Sequence, residues 1–211
     1  MTDAALRHEQ IAYYDAIANE YEDHVIDAPG GAELRSAFDR FDIGGDVLEL
    51  ASGPGMWTEK LLRSSTSVTA VDSSPQMIKR ARERVGSAAV RFIESDLFRW
   101  QPDRRYDTVF FGFWLSHVPE DQFENFWSMV ADCLRPEATV CFVDDSYRTD
   151  QELIEGPGSA LVERTLNDGT RYRAIKVPHR PDVLEQRLRA LGWNIEVRGH
   201  GPFYWGSGQL A

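Results

Sequence analysis

The sequence predicts a three-layer α/β fold around a seven-stranded, mostly parallel sheet with one antiparallel strand. Three observations carry this. Residues 47–57 run from alternating apolar residues (Val47, Leu48, Leu50) through a small-residue turn, Ala51-Ser52-Gly53-Pro54-Gly55, into a helical pattern begun by Trp57 and Leu61. A second apolar run, 67–71, ends in Asp72, nineteen residues after Gly53. Strand and helix patterns then alternate to the end of the chain, as parallel βα units require.

The elements follow in order. Residues 4–27 read as an amphipathic helix with Ile11, Tyr14, Ala18, Tyr21 and Val25 on one face. A turn at 27–31 and a short helix at 32–40 lead to the first strand. After Asp72, Ser73 or Ser74 caps a helix that opens on Pro75 and carries Met77, Ile78 and Ala81. The third strand, 90–93, empties into Glu94-Ser95-Asp96-Leu97. The fourth, 106–113, is nearly continuous in apolar residues and so central. It runs into Trp114-Leu115-Ser116-His117-Val118-Pro119, followed by a helix over 120–134 and a fifth strand at 139–143. Residues 148–170 are polar and acidic, broken at Gly156-Pro157-Gly158. Asn167-Asp168-Gly169 is a hairpin turn between extended runs at 161–166 and 171–177. A helix at 181–191, stopped by Gly192, precedes closing strands at 193–197 and 203–205.

Length and composition describe one globular domain: 211 residues, 42% hydrophobic and 27% charged. It divides into N-terminal lid helices (1–45), a binding core (46–147), an inserted cap (148–180) and a closing helix with strands (181–211). Lys and Arg number 23 against 34 Asp and Glu, a net charge of −11. That balance opposes binding to nucleic acid or to an anionic membrane surface, and is compatible with a neutral or cationic small substrate. Cys133 and Cys141 lack metal-ligand spacing and read as buried hydrophobes, so no metal is expected. The polar start of the chain and the absence of a long apolar run predict a cytoplasmic protein. Nothing in the sequence sets an oligomeric state.

Glycines after a strand allow a tight turn and bring backbone against a ligand. A carboxylate at the end of the next strand accepts hydrogen bonds from a ribose diol. The nicotinamide version of this pattern, G-x-G-x-x-G/A, fails at Thr58. The pattern Glu49-x-Ala51-x-Gly53-x-Gly55 instead resembles the first motif of class I S-adenosylmethionine-dependent methyltransferases, whose usual first glycine is here Ala51. The segment Y-Y-D-A-I-A-N-E-Y around Tyr14, the acidic Asp96 after the third strand, and Y-D-x-V with H-V-P at 117–119 resemble the small-molecule, ubiquinone/menaquinone-biosynthesis-like group.

The resemblance implies the Rossmann-like methyltransferase fold and S-adenosylmethionine as cofactor. It places Gly53 and Gly55 at the methionine portion, Asp72 at the ribose, Asp96 and Leu97 at the adenine and Met77 beside the adenosine, with Glu49, Ala51, Trp57 and Ser73 in the same cofactor-binding set. Tyr14 of the lid and Phe113 complete the set. The expected reaction is O- or N-methylation of a small-molecule acceptor, in a site rimmed by Tyr13, Tyr14, Trp114, Tyr172 and Tyr204. Two alternatives stand beside it: a cofactor-binding protein of this fold that transfers no methyl, and an NAD(P)-dependent oxidoreductase. His117 is the candidate base, since its ordinary pKa near 6.5 suits proton removal from a hydroxyl. A helix cap or a backbone hydrogen bond is its structural alternative. His179 and His200 are outside candidates.

Overall fold

The structure, a computed structural model, describes residues 3–21, 28–156 and 158–211. Residues 22–27 of the expected first helix, and Pro157 of the expected break, lie outside the described residues. Helix α1 spans Asp3–Ile17 and α2 Gly31–Phe38. Strands and helices then alternate: β1 (Gly45–Leu50), α3 (Met56–Leu61), β2 (Ser65–Asp72), α4 (Pro75–Val85), β3 (Val90–Glu94) and β4 (Tyr106–Gly112). Two 3₁₀ turns, Leu115–His117 and Glu120–Gln122, lead to α5 (Phe123–Asp132) and β5 (Leu134–Asp145). The chain closes with β6 (Leu161–Thr165), β7 (Arg171–Ile175), α6 (Pro181–Ala190), β8 (Trp193–His200) and β9 (Phe203–Leu210).

Seven strands form one sheet in the order β3-β2-β1-β4-β5-β9-β8, and β6 with β7 form a separate two-stranded sheet. β1 lies parallel to both β2 and β4, so the strand order turns around between β1 and β4. The antiparallel strand is β9, which inserts between β5 and β8. It can do so because Gly201 and Pro202 close β8 and β9 into a hairpin, Gly201 taking φ 59°.

Alternate residues of the central strands feed opposite cores, as a two-residue period dictates. Leu48, Leu50, Val109, Phe111, Val140 and Phe142 pack with Phe126, Trp127, Leu184 and Leu188 of α5 and α6. Val47, Phe110, Cys141 and Val143 pack with Leu34, Phe38 and Leu61 of α2 and α3. Both cysteines are free and buried, and burial pushes the Cys133 thiol up to about 12. Among the described residues, no helix is long and apolar enough to cross a membrane.

Several boundaries differ from the sequence reading. Helix α1 ends at Ile17 and residues 18–20 form a turn, so Ala18 and Tyr21 of the expected helix lie beyond it, and the closing strands run on to His200 and Leu210. Arg135-Pro136-Glu137, between the helix expected to end at 134 and the strand expected to start at 139, lies inside β5. The β4–β5 register shifts between Tyr106 and Thr108, and Glu137 takes φ 62°, so a bulge accommodates the proline. Helix α5 starts at Phe123 rather than at residue 120, because the residues after Pro119 wind as a 3₁₀ turn.

Helix α1 joins the β6–β7 hairpin. Glu9 accepts from Arg173 Nε at 3.0 Å and Nη2 at 2.7 Å, and Gln10 Oε1 accepts from the Ile175 N–H at 2.8 Å. At its other side α1 reaches α4: Asp15 accepts from the Ser74 hydroxyl at 2.8 Å. Ser74 also caps α4, accepting from the Met77 N–H at 3.0 Å.

Candidate functional site

The site forms where the strand order reverses, at the carboxyl ends of β1 and β4, the place where open α/β sheets bind ligands. Two non-glycine residues there hold left-handed backbone: Ala51 at φ 53° and Phe113 at φ 56°. Such conformations are costly for L-residues and gather at functional sites. Ala51, Phe113, Gly53 and Gly112 line both of two adjoining cavities, which also share Tyr14, Tyr21 and His117.

The narrower cavity is lined by Asp72, Ser73, Met77, Asp96 and Leu97, under Gln10 and Tyr14 of α1. Asp72 is fixed by its neighbours: Oδ2 accepts from the Gly53 N–H at 2.8 Å and Oδ1 from the Ser74 N–H at 2.9 Å. Burial raises its pKa, and these backbone donors oppose the rise. Asp96 is held by the Phe98 N–H at 3.0 Å. Gly53 takes φ 53°, and a Cβ built on it meets no atom within 4 Å, so only open cavity faces that position.

The wider cavity, about 450 Å³, has the size of a small-ligand pocket. Tyr13, Ile17, Leu34, Trp57 and Phe203 form its apolar walls. Its charges come from distant elements: Arg35, Lys60, Arg164 and Lys176 against Asp145 and Glu152. Lys176 is buried, with Nζ donating to Ser116 Oγ at 3.0 Å and lying 3.0 Å from Asp145 Oδ2. Arg164 pairs with Glu152. Lys60 rests over the Trp57 ring at 4.5 Å. Arg35 and Lys60 have no ion-pair partner among the described residues.

His117 stands on the wall between the cavities. Its Nδ1 lies 2.5 Å from the Ile175 carbonyl oxygen and its Nε2 2.8 Å from the Tyr14 hydroxyl. A carbonyl only accepts, so Nδ1 carries the proton and Nε2 accepts from Tyr14. Burial, then the nearby Lys176 ammonium, hold the His117 pKa well below 6.5, so the ring is neutral at neutral pH. Burial pushes the Tyr14 phenol well above 10.

The chain was compared with known proteins. A family model described as "Methyltransferase domain" matches residues 47–137. DhpI in complex with SAH superposes with a TM-score of 0.84 at 40% identity, covering 100% of this chain and 99% of that one. The chain belongs to the class I S-adenosylmethionine-dependent methyltransferases. A DhpI–SAM–HEP complex gives a TM-score of 0.86 at 39% identity, over 98% of this chain and 99% of that one. An uncharacterized methyltransferase of Geobacillus thermodenitrificans (strain NG80-2) is 24% identical over 195 residues, 91% of this chain and 89% of its own. Trans-aconitate 2-methyltransferase of Escherichia coli O139:H28 (strain E24377A / ETEC) is 33% identical over 96 residues, 44% of this chain and 36% of that enzyme.

S-adenosylmethionine is therefore the cofactor of this methyltransferase, and the nicotinamide alternative falls away. The residues present suit it: a doubly anchored carboxylate at Asp72, an open cradle at Gly53, and Met77 and Leu97 as apolar walls. Of the residues the resemblance assigns to the cofactor, Tyr14, Ala51, Gly53, Asp72, Ser73, Met77, Asp96, Leu97 and Phe113 line the narrower cavity.

Other expected residues stand elsewhere. Glu49 is buried beside the turn, its Oε2 accepting from the Thr58 hydroxyl at 2.5 Å, and it lines neither cavity. Gly55 is set by packing: a Cβ there comes within 3.0 Å of Ala81. Trp57 lines the wider cavity only, pressed on Phe38 and Phe110 at ring distances of 4.8 and 5.6 Å. Of the expected rim, Tyr172 packs on Tyr13 and Tyr204 is buried beyond both cavities. His179 is buried between Phe123 and Tyr204, and His200 lies at a separate surface hollow. Gln10, Arg164 and Lys176 were missed by sequence reasoning, because their roles depend on contacts between remote segments.

Proposed function

We propose that this methyltransferase acts on an oxygen atom of a small acceptor that carries an acidic group, with the acceptor seated in the wider cavity. The observation that carries the reading is the composition of that cavity. In a chain of net charge −11 it gathers Arg35, Lys60, Arg164 and Lys176 beside a neutral histidine that also faces the cofactor cavity. Arg164 is met by Glu152 and Lys176 by Asp144 and Asp145, so among the described residues the unpaired positive charge is that of Arg35 and Lys60 at the cavity edge, and it is this charge that favours an anion. DhpI, captured with SAM and HEP together, supports a second molecule seated beside the cofactor in this fold.

The residue roles follow. Gly53, Asp72, Asp96 and Leu97 hold the cofactor, with Tyr14 over it. When bound, S-adenosylmethionine supplies a methyl group on a sulfonium, whose C–S bond breaks as the C–O bond forms, leaving a neutral thioether. Arg35 and Lys60 draw in the acidic group, and the apolar wall of Trp57 and Phe203 excludes water. The acceptor hydroxyl gives its proton to the Tyr14 oxygen as Tyr14 passes its own to His117 Nε2. The same burial that lowers the His117 pKa makes the ring a weaker base than the ordinary pKa near 6.5 implies, and favours release of the proton once the methyl has moved.

The test is a screen with methyl-labelled S-adenosylmethionine against small hydroxy acids, their esters and amides, and small amines. The reading expects label in the acids, with the esters and amides much weaker. Transfer confined to amines or to uncharged acceptors would overturn it.

A further inference from the structure

Gln10 closes a ring of hydrogen bonds around His117. Its Oε1 accepts from the Ile175 N–H at 2.8 Å. The carbonyl oxygen of the same residue lies 2.5 Å from His117 Nδ1, and His117 Nε2 lies 2.8 Å from the Tyr14 hydroxyl. Tyr14 stands one helical turn after Gln10 on α1, so both ends of the ring return to one helix face. Every direction in the ring is dictated by backbone. The Ile175 N–H only donates, so the Gln10 oxygen faces it, and the Ile175 carbonyl only accepts, so Nδ1 carries the proton.

Gln10 is 4% exposed and also lines the cofactor cavity. It is a buried amide that the methyl-transfer step does not otherwise use. A peptide whose N–H is already bonded presents a more polarised carbonyl, because chained hydrogen bonds strengthen one another. Without the Gln10 acceptor, the Ile175 N–H is left unmet and the strand end is free to turn its carbonyl away from the ring. Bonds from Glu9 to Arg173 hold the same strand to α1 two residues earlier, so losing Gln10 loosens the Ile175 peptide while the strand stays docked.

We propose that Gln10 is a positioning residue for methyl transfer. Through the Ile175 peptide it holds His117 as the Nδ1–H tautomer, with the Nε2 lone pair turned to Tyr14. This rests on the proton-accepting role given to His117 above.

The experiment uses the full chain labelled with ¹⁵N-histidine and saturated with S-adenosylhomocysteine, with the His117 signals assigned by His117→Ala. The unsubstituted protein shows a protonated Nδ1 and a pyridine-like Nε2. Gln10→Met, apolar and of similar volume, gives a mixture of tautomers at saturating S-adenosylhomocysteine. Turnover of an acid found in the screen falls about tenfold, the size of one lost buried hydrogen bond. Gln10→Glu, which keeps an acceptor for the Ile175 N–H, restores the single tautomer. Should Gln10→Met fail to fold, Gln10→Asn, with its acceptor drawn back by one methylene, gives the same reading. A single Nδ1–H tautomer in the folded Met or Asn variant overturns the proposal. Mixed tautomers with undiminished turnover uphold the positioning by Gln10 and overturn His117 as the proton acceptor.

Discussion

The Tyr14 hydroxyl lies 2.8 Å from His117 Nε2, across 103 residues of sequence. Their rings meet nearly edge to face, with centroids 5.5 Å apart at 84°. The contact gives Tyr14 a second task. The sequence reading sets it over the cofactor, and the structure makes it also the partner of the candidate base. Tyr14 thus joins the lid to the wall between cofactor and acceptor.

His117→Ala is expected to lower turnover by about 10²–10⁴-fold with unchanged affinity for S-adenosylhomocysteine, the range for loss of a general base. Tyr14→Phe removes the oxygen that takes the acceptor's proton in the same relay, so its loss is of the same order. Initial rates at saturating cofactor, with calorimetry on the product, check both. Equal activity in His117→Ala would show that the acceptor oxygen needs no proton removed.

The acceptor cavity gives a prediction of a different kind. Arg35 and Lys60 sit at its edge without ion-pair partners among the described residues, and Lys60 is steadied by the Trp57 ring. Replacing each by methionine keeps the aliphatic stem and removes the charge. Each change should raise the KM of an acidic acceptor about three- to fivefold and leave kcat near its original value, as expected of partly exposed charges. Steady-state kinetics on an acid and on its amide separate the cases. A KM increase of the same size for both would mean that charge is not what these residues supply.

Two glycines of the site separate packing from binding. A Cβ on Gly112 falls 2.6 Å from Trp57 Nε1, and Phe38, Phe110 and Phe113 stop that indole from moving aside. Gly112→Ala should therefore cost about 1–3 kcal/mol in chemical unfolding and push Trp57 into the acceptor cavity. Gly53→Ala meets no protein atom but keeps a left-handed backbone. Its stability cost is about 1 kcal/mol, and the added methyl projects where the cofactor sits. It should weaken S-adenosylhomocysteine binding more than Gly112→Ala does. The reverse order would misplace the cofactor.

The split between these glycines shows what the sequence could disclose. Gly53, Asp72, Ser73, Met77, Asp96 and Leu97 lie at strand ends within one βα succession, so spacing alone brings them together. The parallel core was legible for the same reason, since apolar alternation fixes which face each strand residue meets. Gly55 has a packing reason that its spacing could not disclose, since a glycine needed for helix–helix contact at Ala81 stands at the same spacing as one needed by a ligand. Glu49 and Trp57 flank the turn in sequence but face Thr58 and the Phe38 layer in space. The acceptor side was not legible at all. Arg35 comes from α2, Lys60 from α3, Arg164 from β6 and Lys176 from the residue after β7, and no local pattern links them.

Glu49 supplies a test of electrostatics that needs no substrate. It is 1% exposed, and its Oε2 accepts from the Thr58 hydroxyl. Burial pushes its carboxyl from an ordinary 4.5 up to about 8, against the lowering effect of the Thr58 bond. In the folded protein the group is then mostly protonated at neutral pH, whereas in the unfolded chain it has ionised. The stability it contributes is complete below pH 4.5 and is lost as pH rises through about 8. His179 works in the opposite sense. Burial lowers its pKa from 6.5 to about 4, so stability is lost as pH falls through that interval and is complete above it. Above pH 6.5 the Glu49 effect is therefore free of the His179 effect. Glu49→Gln puts a neutral amide where the protonated acid sits and can still meet Thr58. Its stability relative to the unsubstituted protein should grow by about 1.5 kcal/mol between pH 6.5 and 8, read from urea midpoints at both pH values. Because Glu49 lines neither cavity, affinity for S-adenosylhomocysteine should change little at pH 6.5. Parallel stability curves for the two proteins would mean that Glu49 ionises as an exposed carboxylate does, and would count against the enclosed site beside the glycine turn.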